Sequence, residues 1–169
     1  MEPCAENETD DLARIRLLGL GNEILADDAF GILVVREAER LLSGEIEAIC
    51  SSASGFHLLD HLLGVDCLVI VDTIMTSAAE AGTIHVFRTD RFPPTSALAP
   101  HFVGLSEVLA VAKQLHLDVA KEVIAIAVEA WDCGTVGGDM HPAVRRAVDE
   151  TLNVVKQLVA ERSLRHGKV

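Results

Sequence analysis

Five short apolar runs constrain this chain more than any other feature. They lie at Ile15–Leu20, Ile46–Cys50, Cys67–Val71, Thr83–Phe87 and Glu122–Val128. A strand covered on both faces reads as a nearly continuous Val/Ile/Leu run rather than as strict alternation. Between the runs lie helix-like segments at about 28–43, 55–63, 104–116 and 141–161. In the last of these, Val144, Ala147, Val148, Leu152, Val155, Leu158 and Val159 recur at three- and four-residue intervals. In the first, Ile32, Val35, Ala38 and Leu42 form an apolar stripe that only Glu39 interrupts. Strand and helix alternate, which predicts an α/β three-layer sandwich: a mainly parallel twisted sheet of about five strands with helices on both faces. The run from Thr83 is the expected exception. It follows Cys67–Val71 with little room for a crossover helix, so antiparallel pairing is expected there. One α/β domain over 13–162 is expected, with an acidic tail at 1–12 and a short basic tail at 163–169. Thr89 to Val103 is the longest irregular stretch. Pro93, Pro94 and Pro100 exclude helix from it, and loops of that length are usually functional or disordered.

Half of the residues are hydrophobic, yet no stretch approaches the ~20 apolar residues of a membrane span. The apolar content is therefore assigned to buried strands. The net charge of −12 argues against non-specific nucleic-acid binding and against docking on anionic membranes. Of the four cysteines no two form a C-x-x-C pair, and Cys50 and Cys67 read as small core residues. The N-terminal MEPCAENETDD has no apolar signal region, so a cytoplasmic location is expected.

The segment GLGNEILADDAFG, Gly19 to Gly31, leaves the first apolar run through a glycine turn and presents Asp27 and Asp28 side by side. A G-x-G-x-x-G loop would need glycine where Ile24 stands, and no G-K-[ST] follows, so neither nucleotide-binding loop is present. Asp27 can cap the helix that follows, and acids suit its first turn. Equally, the pair sits just beyond the carboxyl end of a first strand, where open α/β sheets bind ligands. CLVIVDTI places Asp72 at the end of another apolar run. Burying a lone carboxylate mid-sheet is costly, so Asp72 is expected to emerge at the same carboxyl edge. His101, in APHFVGLSEVL, closes the proline-rich stretch ahead of a helix. Two carboxylates and an imidazole around one crevice could hold a divalent transition metal, or supply general acid and base groups.

Other candidates are weaker. HLLDH, with His57 and His61, has Leu58 where a metalloprotease motif needs glutamate. Ser51, Ser52 and Ser54 lack a G-x-S-x-G setting. His141 precedes Pro142 and reads as a helix-capping residue. WDCGTVGGDMHP, with Asp132, Cys133 and Asp139, could border a site or simply supply glycine turns.

Taken in order, LLGLGNEILADDAFG, CLVIVDTI, AGTIHVF, APHFVGLSEVL and VEAWDCGTVGGDMHPAV resemble the [NiFe]-hydrogenase maturation endopeptidases. These proteases trim a C-terminal extension from the hydrogenase large subunit. The resemblance covers about residues 14 to 160. It implies a metal-engaging cluster of Asp28, Asp72 and His101, with Asp27 as the neighbour that caps and orients. It implies nickel carried by the substrate, no tightly bound zinc, and a large-subunit precursor as partner. The metal could activate water and polarise the scissile carbonyl, or only position the bond while Asp28 or Asp72 acts as base. CSSASGFHLL departs from the family's glycine- and threonine-rich segment, with only Gly55 matching, and Ala81 replaces a frequent proline. The alternatives are a non-catalytic nickel-binding assembly factor using the same ligands, and an unrelated α/β protein in which the aspartates are only caps.

Overall fold

The computed structural model describes residues 14–88 and 105–166. The acidic N-terminal residues and the proline-rich stretch with His101 lie outside the described residues. In chain order the elements are β1 (Ile15–Leu20), α1 (Phe30–Leu41), β2 (Glu47–Ser51), α2 (Leu59–Leu62), β3 (Cys67–Ile74), β4 (Ile84–Arg88), α3 (Leu105–Gln114), β5 (Glu122–Glu129) and α4 (Pro142–His166). Short 3-10 turns at Asp27–Ala29 and Gly55–Leu58 lead into α1 and α2.

The strands form one sheet in the order β2-β1-β3-β5-β4. β1 pairs in parallel with β2 and β3, and β3 in parallel with β5. β4 runs antiparallel to β5, as its short connection requires. Side-chain alternation sorts the two cores. Leu17, Val69, Val71, Ile126 and Val128 pack with α1 and α4 on one face. Leu18, Leu20, Leu68, Ile70, Ala125 and Ala127 pack with α2 and α3 on the other. Both faces are covered, which is why the strands read as unbroken apolar runs.

Several boundaries differ from expectation. β3 continues past Val71 to Ile74 because its pairing with β5 outlasts its pairing with β1. The segment at 55–63 is a 3-10 turn followed by a single short helix. α4 runs on to His166, beyond 161 and into the expected basic tail. Its Arg162 is buried and donates to the Cys67 Sγ (3.1 Å), and it pairs with Glu122 (2.6 Å), anchoring the helix to the amino edge of the sheet. Cys50 is exposed, not core, because β2 is an edge strand with only one neighbour.

Two glycines set how α1 meets the sheet. A Cβ on Gly31 would overlap the carbonyl oxygens of Leu20 and Val71, and one on Gly19 would overlap the Gly31 carbonyl. The N-terminus of α1 therefore seats directly over β1 and β3, at the carboxyl edge of the sheet.

Candidate active site

The turn after β1 is built for close approach. Gly21 has φ +136°, and a Cβ there would collide with the Asp28 carbonyl oxygen. Its N–H donates to the Ser51 carbonyl (3.2 Å), and the Asn22 N–H donates to the Asp28 carbonyl (3.3 Å). The same turn is strapped to the loop after β5. Ala26 N–H donates to the Thr135 carbonyl (3.1 Å), and Asp27 N–H donates to the Asp132 carbonyl (2.8 Å).

Asp27 does not cap its own helix: the turn starts without a side-chain cap hydrogen bond. Its carboxylate, fully buried, reaches across to the loop instead. Oδ2 accepts from the Trp131 N–H (2.8 Å) and the Asp132 N–H (2.9 Å), and Oδ1 accepts from the His141 N–H (2.6 Å). This latch ties the loop between β5 and α4 to the turn that carries Asp28. His141 also caps α4 as expected, its Nδ1 accepting from the Ala143 N–H (3.3 Å) with Pro142 as first helical residue.

Asp28 is buried beside Thr73, whose Oγ1 donates to Asp28 Oδ1 at 3.5 Å and lies 3.5 Å from Cys133 Sγ. Asp72 was expected to emerge from the sheet, but it does not. It lies inside β3 and is fully buried, opposite Ala127 of β5 and one residue past the last β3 partner of β1. Its Oδ1 accepts from the Thr73 N–H (2.7 Å), whereas Oδ2 has no hydrogen-bond partner among the described residues. Burial pushes the Asp72 carboxyl well above the usual carboxylate range. The Thr73 hydrogen bond opposes that shift, and the Asp28 charge adds to it. The structure thus brings two of the three expected site residues together. The third, His101, lies outside the described residues. Among the described residues, no three His, Cys, Asp or Glu side chains gather closely enough to hold a metal ion.

Cys133, in the loop expected either to border a site or to supply glycine turns, lies against Thr73 beside Asp28. Burial raises its thiol to about 11, against the Thr73 hydrogen bond and with the aspartates adding to the shift, so it is a neutral thiol at pH 7. His57 is exposed. The His61 imidazole is held below its ordinary range by burial and then by the Arg16 charge, so HLLDH forms no second centre.

Glu129 was passed over although it carries the same signature as Asp72, an acid ending an apolar run. It is almost fully buried at the end of β5. Oε1 accepts from the Thr76 N–H (2.7 Å) and the Ser77 N–H (2.9 Å), and the Thr76 hydroxyl donates to Oε2 (2.9 Å). It holds the turn after β3.

Fold and site together define an α/β protein with two buried acids, Asp28 and Asp72, set close together. The structure of the hydrogenase maturating endopeptidase HybD from E. coli matches with a TM-score of 0.72 at 24% identity, over 88% of this chain and 93% of that one. A family model described as hydrogenase maturation protease matches residues 33–158, well over half of the chain. The chain belongs to the hydrogenase maturation protease family and is a peptide-bond hydrolase. The matched span includes Asp72 and His101 and begins after Asp28. Among curated relatives, the hydrogenase expression/formation protein HoxM of Azotobacter vinelandii is 29% identical over 156 residues, 89% of this chain and 74% of its own length. The hydrogenase 2 maturation protease of E. coli is 32% identical over 104 residues, 59% of this chain and 63% of its own length. No helix among the described residues is long and apolar enough to cross a membrane.

Proposed function

We propose that this protein removes the C-terminal extension of a [NiFe]-hydrogenase large-subunit precursor after nickel insertion, and that Asp28, Asp72 and His101 engage the precursor's nickel. One observation carries this reading: Asp72 Oδ2, fully buried, lacks a partner among the described residues beside a second buried carboxylate. A buried carboxyl held back from ionising by burial and by the Asp28 charge gains most from an arriving cation. A metal-loaded precursor relieves that opposition; an empty one leaves it in place. Selection for nickel-loaded substrate then follows from electrostatics alone.

Hydrolysis needs water to bond to the scissile carbonyl carbon, the C–N bond to break, and a proton to reach the leaving amine. Asp28 or Asp72 takes the water proton and passes it to the leaving amine. The nickel supplies positioning and polarisation of the bond. Asp27 holds the turn carrying Asp28 against the loop after β5, so the acids meet the substrate in a fixed frame. The proposed setting is the cytoplasm.

The deciding experiment is cleavage of the precursor from the same cell, nickel-loaded and nickel-free, with products weighed by mass spectrometry. Loss of a short C-terminal peptide from the loaded form only is expected. Cutting of both forms would keep the protease and discard nickel selection. Cutting of neither would favour the non-catalytic nickel-binding assembly factor.

A further inference from the structure

Trp131, the chain's only tryptophan, is 71% exposed although it follows the buried strand β5 by two residues. Its ring stacks on His141, with centroids 5.9 Å apart and planes 30° apart. It stands over a cavity of about 550 Å³ with walls formed by Met75, Ala79, Ala81, Ala130 and Ala143. That volume falls in the range of small-ligand pockets and is ample for a peptide side chain. Two acids also line it, Glu80 and Glu129. The Glu129 oxygens accept from Thr76 and Ser77 donors, and Oε2 also lies 3.8 Å from His85 Nε2. Alanine walls, a methionine and an exposed indole face favour an apolar guest.

The cavity is mechanically joined to the acid cluster. The N–H groups of Trp131 and His141, which together form its rim, both donate to the Asp27 carboxylate, and Asp28 is the next residue. A segment positioned at Asp28 therefore meets this cavity at a fixed offset. We propose that the cavity is a specificity subsite that seats an apolar side chain of the precursor segment beside the scissile bond, under the Trp131 ring. This rests on the endopeptidase reading above.

Two measurements test it. In the first, nickel-loaded precursor is cut by wild type, by Trp131→Ala, which removes the indole, and by Ala79→Leu, which adds bulk to the cavity wall. Both variants are expected to raise KM by about tenfold with kcat little changed. In the second, the protein labelled with 5-fluorotryptophan carries one ¹⁹F resonance, and unlabelled precursor adds none. That resonance is expected to shift when nickel-loaded precursor is added at saturating concentration to the slowly cutting Asp72→Asn variant. If wild type cuts and KM is unchanged in both variants, the subsite is overturned while the protease stands. If wild type does not cut but the resonance shifts, the cavity stands as a binding site and the protease reading falls. Neither cutting nor a shift overturns both.

Discussion

Asp27 and Asp72 are both fully buried carboxylates at the carboxyl edge of the same sheet, yet they are treated in opposite ways. Asp27 is saturated: three backbone N–H groups point at its two oxygens. Asp72 receives one hydrogen bond, leaves Oδ2 without a partner among the described residues, and faces the charge of Asp28. Glu129 falls with Asp27, since backbone and hydroxyl donors take both of its oxygens. A saturated buried carboxylate braces loops, because removing it strands several donors at once. An unsaturated one costs stability in the free protein, and groups of that kind cluster at functional sites. The difference separates framework from chemistry more sharply than burial or residue type does.

One isosteric change, acid to amide, probes all three positions. The largest effect is expected at Asp72→Asn. Cleavage should fall by about 10²- to 10⁴-fold, the span of a lost acid–base group, while the thermal midpoint at neutral pH should rise. The sign follows from linkage. The folded pKa lies above the unfolded one, so the native state holds this proton more tightly. Stability contributed by the group is full below the unfolded pKa and declines as pH rises toward the folded pKa. The gain from Asn should therefore vanish in acid and grow above the ordinary carboxylate range. A scan of midpoint against pH for both proteins checks this, and a lower midpoint at pH 8 would break the contrast.

Asp27→Asn should do the reverse. The amide can accept on one side only, so its NH2 opposes either the His141 donor or the pair from Trp131 and Asp132. We expect a loss of roughly 1–3 kcal/mol in chemical denaturation. A smaller drop in cleavage, about tenfold, should accompany it as the frame around Asp28 loosens. A stabilised Asp27→Asn would mean that saturation is not what separates the two aspartates.

Glu129→Gln is expected to have the smallest effect, about 1 kcal/mol of stability. Because Glu129 holds the turn beside the Met75–Ala79 wall, any kinetic change should fall on KM more than on kcat. A kcat loss as deep as that of Asp72→Asn would move Glu129 from the framework into the chemistry.

Much of this architecture was legible in the chain. The five runs marked five strands because burial on both faces leaves no polar alternation to hide them. The short stretch between β3 and β4 dictated an antiparallel edge. Pro142 marked a helix start because its missing N–H is harmless there. Asp72 and Asp28 were picked out by position, and the structure sets them close enough for one charge to oppose the other. The extra turn of strand that buries Asp72 was not legible, because it depends on β5 outlasting β1 as a partner. Cys50 was misread because nothing in the run Ile46–Cys50 reveals that β2 lies at an edge.

Element type and order and the direction of β4 were set by the sequence itself, through periodicity, chain length and the geometry of proline. The tertiary structure alone decided which acid is framework and which is left open. That distinction depends on donors contributed from the far end of the chain, at Trp131, Asp132 and His141 for Asp27. Local pattern can say that a carboxylate will be buried. Only the folded packing determines how many N–H groups meet it there, and so whether it holds a loop in place or remains available for a metal and a proton.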